Sequence, residues 1–258
     1  MTTPALAMVT GASSGIGKSF AEALAARGAD LVLVARNHNR LEEIAADLRA
    51  RHGRHVSVLV ADLEDPAGLA SVEKHLHEDA RIDLLVNNAG YGLTGSFSDL
   101  PIDKSMGQVD CNVVALTRLT HAALTTMKAS RRGGVINIAS GAAFLPTPNL
   151  AVYSATKAYV VNFSLALNEE AKSYGVRVLV VCPGFTRTEF QTRANYDSSA
   201  LPSFLWQTAD DVVRESLSSW DGGEAMIVTG FQNRMTMLLT NLLPKPLLTS
   251  LAGRISKH

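Results

Sequence analysis

Apolar and polar residues alternate along the chain in blocks that predict strands and helices in regular succession. Mainly apolar runs, typical of strands buried on both faces, lie at residues 5–9, 31–34, 56–60, 82–86, 135–139, 176–181 and 225–228. Between them apolar residues recur three and four positions apart, as at Leu41, Ile44 and Leu48, which predicts amphipathic helices. Alternating strands and helices imply a doubly wound α/β fold, a seven-stranded parallel sheet with helices on both faces.

A glycine-rich turn, T-G-A-S-S-G-I-G, follows the first predicted strand at residues 10–17 and leads into a helical pattern. Glycine lets the backbone approach a pyrophosphate, and a helix N-terminus presents free N–H groups and the positive end of its dipole. Tight turns use glycine as well, so the position between strand and helix is what favours a phosphate-binding turn. The predicted fold is therefore a Rossmann-type, dinucleotide-binding one.

The second predicted strand ends at Arg36, where a dinucleotide fold meets the adenosine ribose. An acidic residue there binds the 2′-hydroxyl of NAD, whereas an arginine accommodates the 2′-phosphate of NADP. Arg40 and Lys18 could add positive charge. Arg36 thus favours NADP, and NAD use or an ordinary solvated arginine is the alternative.

Short polar residues and glycines follow several other strands. They are Asp62, Asn87-Asn88-Ala89-Gly90, Ser140 and Pro183-Gly184. Because ligands bind at the carboxyl ends of parallel strands, these residues are expected along one edge of the sheet. Asp62 either reaches a cofactor base or starts the next turn.

Asn112 lies near the middle of a long predicted helix over about residues 102–129. Asparagine is a poor helix former, so its side chain is either exposed or held for a hydrogen bond. The loop at 141–149 contains two prolines and is predicted to be non-helical.

Tyr153 and Lys157, in Y-S-A-T-K, stand four residues apart and share one face of the next predicted helix. A nearby ammonium favours the phenolate and lowers the pKa of a tyrosine toward neutral pH. The pair is a candidate proton-transfer device, although this spacing also occurs by chance. Ser140, placed at a strand end across a short loop, strengthens the chemical interpretation.

Two later segments depart from the strand–helix alternation. At about 189–206 polar residues mix with Phe190, Tyr196 and Trp206, which predicts a mobile substrate lid with an apolar inner side. Thr208-Ala209-Asp210-Asp211 predicts a capping box that opens a helix.

A tail at about 235–258 is rich in leucine and methionine. It is expected to form packed helices, cover the substrate pocket, make a dimer contact or lie on a membrane, and its few basic residues disfavour the membrane.

Composition narrows the function classes. The chain has 258 residues, 47% of them hydrophobic, and a formal net charge of zero, which argues against nucleic acid as a main partner. Its two cysteines, Cys111 and Cys182, form neither a disulfide framework nor a metal cluster, and both are expected to be reduced core residues. We see no signal peptide or transmembrane run, and expect a single-domain, cytoplasmic protein without a metal.

Several motifs occur together: T-G-A-S-S-G-I-G from Thr10, N-N-A-G from Asn87, Asn112, Ser140, Y-S-A-T-K from Tyr153, and P-G from Pro183 with Thr188. In this order and spacing, over about residues 5–230, the sequence closely resembles the short-chain dehydrogenase/reductase family. The resemblance implies an oxidoreductase in which the cofactor carries the hydride and the protein supplies geometry and the proton.

The resemblance also assigns catalytic roles. Tyr153 would donate the proton in ketone reduction or accept it in alcohol oxidation. Lys157 would lower the pKa of Tyr153 and bind the nicotinamide ribose. Ser140 would stabilise charge on the substrate oxygen, and Asn112 would hold a proton-relay water near Lys157.

The implied cofactor contacts run along the predicted edge of the sheet. The glycine-rich turn would meet the pyrophosphate, Asp62 the adenine, Asn88 the adenosine-side ribose, and Pro183, Gly184 and Thr188 the nicotinamide. The full expected set is Gly11, Ser13, Ser14, Gly15, Ile16, Gly17, Arg36, Arg40, Asp62, Leu63, Asn88, Ala89, Gly90, Tyr153, Lys157, Pro183, Gly184, Thr186 and Thr188.

These features together predict an NADP(H)-dependent reductase that interconverts a ketone and a secondary alcohol on an apolar substrate. The tail looks like those of family members that act on ketosteroids and long-chain 3-oxoacyl groups. A catalytically idle NADP-binding sensor or scaffold and an NAD-dependent alcohol dehydrogenase are the alternatives. The helices beginning near residues 102 and 150 would pair into a homodimer or homotetramer, as in the family.

Overall fold

The computed structural model describes residues 4–79, 81–196 and 202–241, and for 236 and 238–241 it describes the backbone alone. Most of the predicted C-terminal tail, at 242–258, and residues 197–201 of the predicted lid lie outside the described residues. The expectations for those segments, and for a single domain over 1–258, stay predictions.

In the described part of the chain, seven strands lie where the apolar runs predicted them, and two short strands, β7 (Thr186–Arg187) and β8 (Gln207–Thr208), were not predicted. They are β1 (Leu6–Thr10), β2 (Asp30–Ala35), β3 (Val56–Val60), β4 (Ile82–Asn87), β5 (Gly134–Ile138), β6 (Arg177–Cys182), β7 (Thr186–Arg187), β8 (Gln207–Thr208) and β9 (Met226–Val228). Within the described residues, seven of them form one parallel sheet in the order β3-β2-β1-β4-β5-β6-β9, and β7 pairs with β8. The predicted doubly wound, seven-stranded sheet is confirmed.

The helices cover both faces of this sheet. They are α1 (Gly15–Ala26), α2 (His38–His52), α3 (Pro66–Glu78), α4 (Ile102–Val109), α5 (Leu116–Ser130), α6 (Ala151–Lys172), α7 (Phe190–Arg193), α8 (Ala209–Gly222) and α9 (Phe231–Asn241). Alternate residues of β1 enter opposite cores, since side chains of a strand point to opposite faces. Ala7 and Val9 pack on the side of α1, α2 and α8, and Leu6 and Met8 on the side of α3 and α5.

The long helix predicted over about 102–129 is not continuous. A π-helical segment, Asp110–Ala115, separates α4 from α5 and contains Asn112. An apolar pattern of helical spacing cannot reveal this change of hydrogen bonding, and such π segments are frequent at functional sites. The prediction of a non-helical loop at 141–149 is wrong at its start, where Gly141–Phe144 form one 3₁₀ turn before the prolines.

A ladder of buried amides and hydroxyls joins the sheet to the helices that flank the site. Asn87 Nδ2 donates to Thr120 Oγ1 on α5 and to Asn137 Oδ1 on β5, each at 2.9 Å. Asn137 Nδ2 donates to Ser164 Oγ on α6 at 2.9 Å. Buried polar groups that satisfy one another in this way fix one packing arrangement. The ladder therefore sets α6 against the carboxyl ends of β4 and β5.

The predicted capping box at the start of α8 is confirmed. Thr208 Oγ1 accepts the Asp211 N–H at 3.1 Å, and Asp211 Oδ2 accepts the Thr208 N–H at 3.3 Å.

Loss of this cap supplies a test of the fold. Thr208→Ala should lower the free energy of unfolding by about 1 kcal/mol, because the cap acceptor is lost. Urea denaturation measures the change, and Thr208→Ser, which keeps the hydroxyl, should stay near the wild type. Equal stability of all three proteins would contradict the capping role.

Candidate active site

The glycine-rich turn is tied to the end of β4 by hydrogen bonds. Thr10 Oγ1 accepts the backbone N–H groups of Asn88 and Ala89, both at 3.0 Å. Asn88 Nδ2 donates to the carbonyl oxygens of Thr10 at 3.0 Å and Gly11 at 3.3 Å. The Asn88 amide therefore holds the turn, and the expected contact of Asn88 with the adenosine-side ribose stays a prediction.

Gly17 serves close packing within the turn. A Cβ atom at Gly17 would lie 2.4 Å from Asn88 Nδ2 and 2.4 Å from the carbonyl oxygen of Gly11. Gly17 does not line the site cavity. Its expected cofactor contact is therefore replaced by a structural role, which brings α1 against the turn.

The N-terminus of α1 suits an anion. Its N-cap residue, Ser14, makes no side-chain capping hydrogen bond, and the first turn carries no acidic residue. The side chains of Asn37, Asp65 and Thr208 do cap the helices that follow them. A helix start without its own acceptor leaves N–H groups for a phosphate, so the turn fits the pyrophosphate of a dinucleotide.

A single cavity of about 1100 Å³ runs along the carboxyl edge of the sheet. Its walls include most of the sequence-predicted residues. These are Gly11, Ser13, Ser14, Gly15, Ile16, Arg36, Asp62, Leu63, Asn88, Ala89, Gly90, Ser140, Tyr153, Lys157, Pro183, Gly184, Thr186 and Thr188. Gly17, Arg40 and Asn112 are the predicted residues that do not line it.

Arg36 stands exposed at one end of this cavity. Its Nη1 lies 3.6 Å from Asp62 Oδ2 and 3.7 Å from Glu64 Oε1. Asp62 also accepts the Glu64 N–H on Oδ1 at 3.1 Å, so it both starts a turn and faces the cavity. The guanidinium is therefore available at the cavity mouth, opposed by two carboxylates.

Arg40 is engaged elsewhere. Its guanidinium forms a two-pronged ion pair with Glu189, whose other partner is Arg193. These arginines hold the pKa of Glu189 below its usual range. The expected cofactor contact of Arg40 is thus replaced by a link between α2 and the segment that follows Thr188.

Tyr153, Ser140 and Lys157 meet at the centre of the cavity. Tyr153 and Lys157 are buried on α6, and the Lys157 Nζ lies 5.8 Å from the centroid of the Tyr153 ring. Lys157 Nζ donates to the carbonyl oxygen of Ile138, at the end of β5, at 2.9 Å. Ser140 Oγ accepts the Ala142 N–H at 3.1 Å. The predicted convergence of these three side chains is observed.

Burial is the largest influence on the pKa values of both Tyr153 and Lys157. Burial raises the pKa of Tyr153 to about 12, and a hydrogen bond with Ser140 opposes that rise. Burial also lowers the pKa of Lys157 to about 8. The expectation that Lys157 lowers the pKa of Tyr153 stays a prediction, because burial is the largest influence on both pKa values and Ser140 is the other group that shifts Tyr153.

Asn112 is clamped by the loop after β4. Its Oδ1 accepts the Tyr91 N–H at 3.1 Å, and its Nδ2 donates to Tyr91 O at 2.9 Å and to Thr156 Oγ1 at 3.1 Å. Asn112 thus joins the π segment to α6, one residue before Lys157. Its Oδ1 and the Lys157 Nζ both lie beside Gly90, 2.7 Å and 3.4 Å from where a Cβ atom of that glycine would be. The expectation that Asn112 holds a proton-relay water near Lys157 stays a prediction.

The other end of the cavity is apolar. Phe144, Leu145, Phe185, Phe190, Tyr196 and Met237 are among its walls. Phe185 stacks on Tyr196 with centroids 6.4 Å apart, and Phe190 lies against Tyr153 with centroids 5.3 Å apart. Phe190 and Tyr196 line the cavity from the segment predicted to be a lid, and the lid itself stays a prediction.

Two residues of the site carry no signal in the sequence. Tyr91 clamps Asn112, and Glu189 binds two arginines. Each acts through partners distant in the chain, which local patterns do not specify. Cys111 and Cys182 are free and buried, as expected.

A family model described as short chain dehydrogenase matches residues 5–199. The chain belongs to the short-chain dehydrogenase family. This confirms the resemblance drawn from the motifs and agrees with the observed sheet.

Curated short-chain dehydrogenases match at about one-third identity. The human "Inactive hydroxysteroid dehydrogenase-like protein 1" is 33% identical over 192 residues, covering 74% of this chain and 58% of that protein. The "Very-long-chain 3-oxoacyl-CoA reductase" of Anas platyrhynchos is 33% identical over 219 residues, covering 83% of this chain and 68% of that protein. The chain thus spans roughly three-fifths to two-thirds of the length of these relatives.

Solved structures of the family superpose over most of the chain. A short-chain dehydrogenase from Sphingobium yanoikuyae in complex with NADPH has a TM-score of 0.83 and 41% identity, covering 86% of this chain and 87% of that one. A bulky-bulky ketone specific alcohol dehydrogenase from Comamonas testosteroni has a TM-score of 0.81 and 33% identity, covering 94% of both chains. Among the described residues, no helix is both long enough and apolar enough to cross a membrane.

The clamp on Asn112 predicts the behaviour of an acidic variant. Asn112→Asp should lower the free energy of unfolding at neutral pH by about 3 kcal/mol, because a buried carboxylate replaces an amide that donates twice. Burial raises the folded-state pKa of the new carboxyl above its unfolded value. The loss should therefore shrink as the pH falls from that folded pKa toward about 4.

Urea denaturation of the variant and the wild type across this pH range measures the difference. A loss that is independent of pH would contradict the buried clamp.

Proposed function

We propose that this protein is an NADP(H)-dependent oxidoreductase that interconverts a ketone and a secondary alcohol on an apolar substrate, of the 3-oxoacyl or steroid-like kind. One observation carries the proposal. Tyr153, Ser140 and Lys157 converge in a cavity that also contains the glycine-rich turn at one end and aromatic walls at the other. The NADPH complex of one structural relative and the ketone specificity of another support it.

The glycine-rich turn and Arg36 would hold the two phosphate-bearing parts of NADP(H). The turn offers the uncapped N-terminus of α1, and Arg36 offers a guanidinium at the cavity mouth. A 2′-phosphate would compete with Asp62 and Glu64 for that guanidinium, and a dianion at close range forms the stronger charge-assisted bonds. The reduced nicotinamide supplies the hydride when the cofactor is bound.

Ser140 and Tyr153 would position and transfer the proton. The Ser140 hydroxyl already accepts the Ala142 N–H, so its proton is available for the substrate oxygen or for Tyr153. In ketone reduction the Tyr153 O–H donates its proton to the oxygen that becomes the alcohol. A pKa raised by burial keeps the phenol protonated at neutral pH, which suits this direction. In oxidation Tyr153 would accept that proton instead.

Removal of the phenol tests the proton transfer. Tyr153→Phe should reduce kcat for ketone reduction by about 10²–10⁴, since general acid catalysis contributes that much. NADPH affinity, measured by fluorescence titration, should stay close to that of the wild type. Full activity of the variant would refute the mechanism, whereas tight NADPH binding without turnover by the wild type would favour a binding protein.

A charge reversal tests the cofactor preference. Arg36→Asp should weaken NADPH binding at least about tenfold and raise the ratio of kcat/KM for NADH over NADPH, since charge-assisted hydrogen bonds to the phosphate are lost. Arg51→Asp is the matched control, because Arg51 is an exposed residue of α2 that pairs with Asp47 and does not line the cavity. An unchanged ratio in Arg36→Asp would contradict the proposed contact.

A further inference from the structure

The ring of Phe190 covers the ring of Tyr153. Their centroids are 5.3 Å apart and their planes are inclined by 48°. Phe190 is the first residue of α7 and lines the cavity, whereas Tyr153 belongs to α6. The contact therefore joins the segment that follows Thr188 to the proposed proton donor.

Gly92 completes this contact from the loop after β4. A Cβ atom at Gly92 would lie 2.9 Å from Phe190 Cζ and 3.3 Å from Tyr153 Cδ2. A methyl group at this position would displace the Phe190 ring, because real Cβ atoms do not approach other heavy atoms as closely as 2.9 Å. The two rings form a wall of the cavity, which we call the Tyr153 wall, and Gly92 packs against these rings without lining the cavity itself.

Two hydrogen bonds of its backbone, and the packing of Thr188 on the glycine-rich turn, fix the position of Phe190. Its N–H donates to Thr188 Oγ1 at 3.2 Å, and its carbonyl oxygen accepts the Ala194 N–H at 2.8 Å. Thr188 lies over the glycine-rich turn, where a Cβ atom at Gly15 would be 3.0 Å from Thr188 Cγ2. The glycine-rich turn thus contacts Thr188, and Thr188 in turn holds Phe190 beside Tyr153.

We propose that Phe190 is a positioning and specificity-determining residue, which shields Tyr153 from water and, with Gly92, limits the width of the ketone substituent that reaches it. The inference rests on the proposed function, since it concerns the same reaction. It adds residues that touch the proton donor from outside α6. A substituent beside the carbonyl must pass the Tyr153 wall before its oxygen reaches the phenol.

The pKa of Tyr153 reports how far the side chain is shielded from water, since burial is the main influence on it. Tyr153 is only 9% exposed, and burial raises its pKa to about 12. The groups that face it are Lys157 on α6 and the Ser140 hydroxyl. Glu189, beside Phe190, has its carboxylate paired with Arg40 and Arg193. Cys111 and Cys182 influence Lys157 and are not among the groups that shift Tyr153.

Phe190→Ala is the principal variant. Admission of water should lower the pKa of Tyr153 by about one unit, a fraction of what full burial produces. Reduction needs the protonated phenol, so kcat falls as the pH rises through this pKa, and the fall should move to lower pH. The ratio of kcat/KM for benzophenone over acetophenone should rise at least about tenfold, as expected for enlargement of an apolar pocket.

Gly92→Ala provides the opposite change. Its methyl group crowds both rings, so the ratio of kcat/KM for benzophenone over acetophenone should fall below that of the wild type.

Phe185→Leu is the matched control: Phe185 lines the cavity and contacts Tyr196 and Trp206, but it makes no ring contact with Tyr153. Its pH profile should follow that of the wild type. Phe190→Leu, which keeps apolar volume, serves where the alanine variant fails to fold.

Ionisation of Tyr153 can also be measured without turnover, by tyrosinate absorbance of each protein minus that of its Tyr153→Phe counterpart. A lower pKa in the Phe190 variants supports the shielding even where no ketone is reduced, an outcome that would refute only the proposed function. Folded Phe190 and Gly92 variants with the wild-type pKa of Tyr153 and the wild-type benzophenone ratio would overturn the inference.

Discussion

Burial of an ammonium and a phenol on one face of α6 is the constraint on which the site depends. Removing a lysine from water costs several kcal/mol unless its donors are satisfied. Lys157 meets this requirement by donating to the carbonyl oxygen of Ile138, at the carboxyl end of β5. That contact exists only while α6 packs on β5, and the ladder from Asn87 through Asn137 to Ser164 holds it there. The packing of α6 on the sheet therefore also determines where Tyr153 and Lys157 lie.

The same edge of the sheet explains why the cofactor and substrate regions share a cavity. Parallel strands bring their carboxyl ends together, so the turn after β1 and the loop after β4 become neighbours. Thr10 and Asn88 join these two segments, and the backbone of Tyr91 then holds Asn112 in place. Asn112 in turn contacts Thr156 on α6. These hydrogen bonds, with the backbone of residues 88–91, thus link the glycine-rich turn to α6, which carries Tyr153.

The sequence predicted the architecture and most cavity-lining residues, because apolar runs and strand-end residues are local signals. It could not predict how those residues are used. Asn88 lines the cavity as expected and Arg40 does not, and partners remote in the chain, the carbonyl oxygen of Thr10 and Glu189, engage their side chains. Helical spacing correctly paired Tyr153 with Lys157. It carried no information on burial, which raises the pKa of Tyr153.

The central claim is that burial, and not mutual attraction, sets the proton affinities of the pair. An NMR titration of the Lys157 Nζ in the folded protein, assigned by its absence in Lys157→Arg, tests this most directly. The account predicts a pKa near 8, well below the ordinary value of 10.5. A pKa at the ordinary value would show a solvated ammonium and would contradict the account.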